Sequence, residues 1–370
     1  MSNFDEALER FHLVDLEYGG GLANHGPMAA QALVDLGHQA LIPAFVDRYA
    51  PRLPPAGPGR VLAPTEQGAA RGDFARAADW VATFEARLEQ ADWRACVREV
   101  VPSLLPGLFA AAGHGLLRTV HAMRALERED SPLSRRELAR GLAYWVVRDR
   151  PLPGVPGARA GAGASTSAAG SAAAACGSEL ADGLARASVV PVGPERGESF
   201  VEAVGRLEAF APYRALVETT RLPAEDEIDE ALAALVRASA RLYLDHPEAR
   251  IAYAHAITIP AAVRWLARFL MPADARAGAG FAFQAAVALH ALYGGTPRAS
   301  GVDDEVAKTA ESWDEIRYRA ACSIEEHAIK VACACWLEVR DAKEAADPVL
   351  ALAASDAALR IDGSRSAVRY

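Results

Sequence analysis

Apolar residues recur three and four positions apart along most of this 370-residue chain. No segment alternates apolar and polar side chains in the two-residue rhythm of a half-buried strand. That pattern leaves an all-α fold as the expectation. Composition agrees, because alanine is abundant and aromatic residues make up only 7%. Helical runs are expected over Asn3–Tyr18, Met28–Leu36, Gln39–Tyr49, Glu225–Asp245, Pro247–Thr258, Pro260–Met271, Gly280–Leu292 and Asp303–Asp341, with several more between Asp73 and Asp149. Gly19-Gly20-Gly21 ends the first run, and Pro27 suits the first turn of the second, which leaves His25 on the loop just before it. Gly113-His114-Gly115 is expected to start or bend a helix. Ile259-Pro260 is expected to interrupt one, since the residue before proline avoids helical geometry.

Length alone would allow two or three domains, but the same helical composition resumes on both sides of the Gly/Ala/Ser-rich stretch Pro151–Gly177. We therefore expect a single large helical domain over residues 1–370, with a flexible loop at about 151–177 and a loosely ordered tail at Asp362–Tyr370. A net charge of −9 argues against nucleic acid or an anionic membrane surface as a partner. No apolar run approaches the roughly 20 residues of a membrane span. Residues Met1–Glu6 lack a signal-peptide pattern, and five cysteines, an odd number, suit a reducing compartment. A cytoplasmic protein is the expectation. Cys333 and Cys335 point to different sides of a helix and read as small core residues.

The chemistry concentrates in Ile324–Trp336, where Lys330 sits inside an almost wholly apolar helical stretch, three residues after His327. A buried lysine must find a partner, lose its proton or be chemically changed. A salt bridge to Glu326 on a partly buried helix is one reading. The other is a carbamate formed with carbon dioxide, which would make Lys330 and His327 a metal-ligand pair. Of nine histidines, His12, His38 and His246 read as surface residues, whereas His255 and His290 lie in apolar surroundings. One buried histidine is usually a core residue, but several are satisfied together by a shared metal. His114 and His121 stand two turns apart, about 10 Å along a helix, so only one of them suits a single ion. Phosphate-loop, dinucleotide, Gly-x-Ser-x-Gly and His-Glu-x-x-His signatures are absent.

In order along the chain come Asn24-His25-Gly26-Pro27, His114-Gly115-Leu116-Leu117-Arg118, His255-Ala256-Ile257-Thr258, His290-Ala291-Leu292-Tyr293-Gly294 and Glu326-His327-Ala328-Ile329-Lys330. This ordered set resembles the questin oxidase-like family over about Phe4–Trp336. The resemblance implies an oxygenase that oxidises or cleaves a ring of an anthraquinone-type aromatic polyketide, by Baeyer–Villiger-like or dioxygenase chemistry. It implies molecular oxygen as co-substrate and nonheme Fe2+ held by His25, His114, His255, His327 and a carboxylated Lys330. His327 and Lys330 would then be the catalytic pair, and NADPH is a candidate reductant. Arg118 stands where relatives carry a histidine. Arg118, His121, Tyr253 and His290, with Trp265 and Tyr293, are candidates to line the substrate pocket, and His121 and His290 stay open as substitutes in the metal site. Two other readings remain open: a metal-dependent hydrolase built on a carbamylated lysine, and a non-catalytic helical protein that binds a hydrophobic ligand.

Overall fold

The computed structural model describes residues 1–160, 179–195, 198, 200–295, 311–341 and 347–361. The expected loop at 151–177 lies outside the described residues from 161 onward, as do the start of the helix expected from Asp303 and the tail after 361. The described chain is helical almost throughout. It runs α1 Asn3–His12, α2 Gly26–Asp35, α3 Ile42–Tyr49, α4 Pro64–Ala70, α5 Ala77–Gln90, α6 Trp93–Leu104, α7 His114–Arg128, α8 Pro132–Val147 and α9 Glu179–Ala185. It continues α10 Phe200–Gly205, α11 Ala211–Thr219, α12 Ile228–Asp245, α13 Arg250–Ala267, α14 Pro272–Tyr293, α15 Trp313–Ser323, α16 Glu326–Arg340 and α17 Pro348–Arg360.

Three expectations are corrected. The first helix stops at His12, and the three glycines instead turn a two-residue antiparallel hairpin, β1 Glu17–Tyr18 against β2 Leu22–Ala23. Pro260 lies inside α13 and does not break it. It forfeits one amide and leaves the Ala256 carbonyl without its usual partner, but Ile257, Ile259 and Val263 are buried around it and hold the helix through. The last long run is two helices, because Ile324 takes a left-handed conformation (φ 52°) between α15 and α16.

The site follows from one ring of contacts. Helix α2 packs on α7, α7 on α13, α13 on α16, and α16 back on α2. α7 also lies along α8 at very short range, since a Cβ on Gly115 would come within 2.5 Å of the Trp145 backbone. α16 is apolar on every side because two cores enclose it. Val331, Ala332 and Cys335 join the larger one, and Ile329 and Cys333 join a second, built with α1, α2 and α3. Lys330 is carried into this interior by its neighbours and is 3% exposed.

Candidate metal centre

Each helix of the ring presents a histidine to one buried point. His25 is the N-cap residue of α2, and His114 is the first residue of α7. His255 lies in the middle of α13, and His327 in the first turn of α16. The His25 and His114 rings stack with centroids 4.5 Å apart, and the His327 ring meets His25 edge-on at 4.7 Å. His255 lies against His114 at 4.7 Å and His327 at 5.7 Å. Ligand atoms of His25, His114 and His327 all fall within 4.8 Å of one another.

The partners of these rings decide which nitrogens face inward. His114 Nδ1 donates to the Ala111 carbonyl at 2.5 Å. His25 Nδ1 lies 3.7 Å from a Glu326 carboxylate oxygen, and His327 Nδ1 lies 3.2 Å from Glu325 Oε1. With Nδ1 donating to the Ala111 carbonyl, neutral His114 carries its lone pair on Nε2, whereas His25 Nδ1 makes no hydrogen bond among the described residues. The Nε2 atoms of His25 and His114 then face each other across 2.6 Å. The His114 lone pair at that distance calls for a proton or a cation between the two nitrogens. Carboxylate–histidine pairs that aim Nε2 at a common point are the usual outer support of a metal site.

Local backbone builds this geometry. Asn24 Oδ1 accepts from Gly26 N at 3.0 Å, its Nδ2 donates to the Asp15 carbonyl at 2.9 Å, and His25 N donates to the Tyr49 hydroxyl at 2.8 Å. Glu325 caps α16, with Oε2 accepting from His327 N and Ala328 N at 2.8 Å each. Ala111, Ala112 and Ile324 are the non-glycine residues with positive φ among the described residues, and all three flank ligand-bearing segments. Such residues cost about 1–3 kcal/mol each. Here they turn the Ala111 carbonyl to His114 and the Ala112 carbonyl to His255. Gly113 continues the left-handed turn at φ 79°, where a Cβ would meet Ile259 at 2.7 Å.

Burial, helped by neighbouring cationic groups that include Lys330, holds the imidazoles of His25, His114 and His255 well below their ordinary value, so they are neutral donors at neutral pH. Lys330 Nζ has no hydrogen-bond partner among the described residues. Burial pulls its pKa down to about 8, against the opposing pull of Glu326 and Glu325. The expected salt bridge on a partly buried helix is therefore not what the fold provides. Glu326 lies nearer His25, and Lys330 is buried with no ion-pair partner within range among the described residues. Four imidazoles beside a buried lysine form a nitrogen donor set that fits a divalent transition ion better than magnesium or calcium.

Two cavities reach this cluster from different sides. One, of about 380 Å³, touches Lys330 and His121 and is walled by Arg124, Asp229, Arg264, Arg268 and Glu338. The other, of about 450 Å³, touches His114 and is walled by Phe109, Val147, Leu152, Phe200 and Val204, with Glu17, Tyr144 and Arg148.

The candidate pocket residues divide accordingly. His121 and Trp265 line the first cavity. Arg118 lies in neither; it is 1% exposed and makes a bidentate pair with Glu137, Nε to Oε1 at 2.6 Å and Nη2 to Oε2 at 3.0 Å. Tyr253 and His290 bond to each other at 2.7 Å, away from both cavities, and Tyr293 lines neither. His12 is not a surface residue. It is 3% exposed, with Nε2 3.3 Å from Glu137, a partner 125 residues away that no local pattern reveals. His246 is likewise buried, donating from Nδ1 to the Leu242 carbonyl at 2.8 Å and stacked on Tyr253. His38 is half-buried. Sequence reading missed Glu325, because glutamate is not among the residues that mark an N-cap, and Glu17, Phe109, Tyr144, Arg148 and Phe200, which carry no local signal.

No helix among the described residues is long and apolar enough to cross a membrane. A family model described as Questin oxidase-like matches residues 22–335. No curated protein matches the chain.

Proposed function

The chain belongs to the questin oxidase-like family, and from that premise we propose that it is a nonheme iron-dependent oxygenase acting on an anthraquinone-type aromatic polyketide. The family describes an oxygenase-type tailoring enzyme with a small aromatic substrate. Iron and ring cleavage are the further step, and what supports a metal there is the convergence of four buried imidazoles, with the Nε2 atoms of His25 and His114 2.6 Å apart and His114 Nδ1 held by the Ala111 carbonyl.

His25, His114, His255 and His327 would hold the ion through neutral nitrogens. Lys330 would complete the set. With its pKa near 8, about a tenth of it is neutral amine at pH 7, against well under a thousandth for an exposed lysine. The neutral Nζ lone pair bonds the carbon of carbon dioxide, and one N–H proton leaves to water. The resulting carbamate is an anion that offsets the charge of the cation. Glu325 and the Ala111 carbonyl hold the Nδ1 sides of His327 and His114, leaving their Nε2 atoms for the ion. When bound, ferrous iron supplies the one-electron chemistry that lets ground-state dioxygen react with a closed-shell ring. Both oxygen atoms entering a hydroquinone would need no added reductant, whereas insertion of one atom, with the other leaving as water, would need two electrons from a donor such as NADPH.

The test is metal analysis of protein purified without oxygen or chelators, followed by oxygen uptake with anthraquinones and their hydroquinones, with and without NADPH. About one iron per chain and substrate-dependent oxygen uptake are expected. Zinc with oxygen-independent hydrolysis, or no metal after reconstitution with iron and bicarbonate, overturns the reading.

A further inference from the structure

We propose that the aromatic substrate enters the cavity on the His114 side, not the one on the Lys330 side, and that Glu17, Tyr144 and Arg148 recognise an oxygen substituent of its ring. The assignment rests on the oxygenase reading above. Size does not separate the two cavities, since about 380 and about 450 Å³ both suit a small polycyclic ligand. Chemistry does.

The Lys330-side walls set apolar residues such as Leu117, Val120, Trp265 and Leu337 among ion pairs. Arg264 donates to Asp229 at 2.8 Å and also pairs with Glu338, and Arg124 pairs with Asp35 at 2.9 Å. An apolar ring seated there would strip water from these charges without replacing its hydrogen bonds, which is costly. The His114-side walls also hold charges, Glu17, Arg148, Asp149 and Arg150, but offer a larger apolar face, with two aromatic rings, in Phe109, Phe200, Leu152, Val147 and Val204. Apolar burial contributes about 25 cal/mol per Å², and aromatic faces add to it.

The same cavity holds one polar group suited to a phenol or quinone oxygen. Glu17 is 6% exposed and accepts from the Tyr144 hydroxyl at 2.8 Å and from Arg148 Nε at 2.7 Å, with Arg148 Nη2 on its other oxygen. A carboxylate offers about four acceptor sites, so Glu17 keeps capacity for a substrate hydroxyl. Arg148 Nη1 is not used by Glu17 and can donate to a carbonyl. Arg148 is itself held over the Phe74 ring, its guanidinium carbon 4.2 Å from the centroid. The hairpin that the three glycines turn is what brings Glu17 to this wall.

The experiment titrates metal-free full-length protein with 1,8-dihydroxyanthraquinone, read by ligand absorbance, so that binding is measured apart from turnover. Val204→Trp fills the His114-side cavity and Ala334→Trp the other; both positions are partly exposed, and unchanged melting temperatures show that the variants fold. Val204→Trp should weaken binding at least tenfold and Ala334→Trp should leave it within twofold. Tyr144→Phe and Glu17→Gln should weaken the dihydroxy ligand about three- to tenfold and leave unsubstituted anthraquinone unchanged. Binding weakened by Ala334→Trp and spared by Val204→Trp, or by neither variant, overturns the assignment alone. No binding to the wild-type protein overturns the substrate class and the assignment with it.

Discussion

His25 Nε2 lies 2.6 Å from His114 Nε2, although the two residues are 89 positions apart in the chain and sit on different helices. The Ala111 carbonyl takes the Nδ1 side of His114, so the lone pair on His114 Nε2 points at His25 Nε2 and calls for a proton or a cation between them. His25→Ala and His114→Ala should each keep the fold, by far-ultraviolet circular dichroism, and lose iron affinity by far more than tenfold in a chelator competition. Wild-type affinity in either variant would mean that the contact is a shared proton.

Glu325 does two separable things: it caps α16 and it orients His327. Glu325→Gln keeps a carbonyl oxygen for the cap and removes the anion that supports the imidazole. Helix content and melting temperature should hold, while iron affinity falls about 10- to 100-fold, the usual effect of losing an outer carboxylate. An equal fall in stability and affinity would show that Glu325 acts only as a cap.

Lys330 is a cost to the metal-free protein. Its folded pKa of about 8 lies below the ordinary 10.5, so burial disfavours the charged form. The penalty is fully present below about pH 8 and gone above 10.5; stability of the metal-free protein should rise with pH across that window. Lys330→Met should raise unfolding stability at pH 7 by on the order of 3 kcal/mol, given about 1.4 kcal/mol per tenfold in proton affinity. The same variant should bind almost no iron, with or without bicarbonate. Denaturant unfolding of metal-free protein at pH 7 and pH 10 checks this; a destabilised Lys330→Met at pH 7 would contradict it.

Glu137 anchors Arg118 and His12 within the wall behind α7. Burial alone would raise its pKa, but Arg118 and His12 outweigh that and hold it at about 2, below the ordinary 4.5. Its contribution is therefore present above pH 4.5 and lost as pH falls toward 2. Glu137→Gln strands a buried guanidinium and should cost about 3–5 kcal/mol at pH 7. The gap from wild type should narrow in unfolding curves taken at successively lower pH between 4.5 and 2; a gap that widens on acidification would refute the assignment.

The helical class, the ordered histidine motifs and the anomaly of Lys330 were legible from the chain alone, because helical period and the mismatch of a lysine among apolar neighbours are local properties. So was the start of α7 at His114, which Gly113 and Gly115 announce. Pro260 was misread, because a local rule for proline says nothing of the packing that carries α13 across it. The left-handed turn at Ala111 and Ala112 was invisible for a related reason: alanine has no preference for that conformation, and only the surrounding fold enforces it.

Sequence by itself determined which residues could bind a metal and which helices would carry them. Tertiary structure alone decided which of them meet. The α2–α7–α13–α16 ring brings His25, His114, His255, His327 and Lys330 to one point, sends His290 to Tyr253, gives His12 and Arg118 to Glu137, and leaves His121 on a cavity wall. The physical reason is that a histidine on an apolar helix face looks the same whether its partner is a metal, a tyrosine or a carboxylate; that partner arrives from a distant part of the chain, and packing decides which one it is.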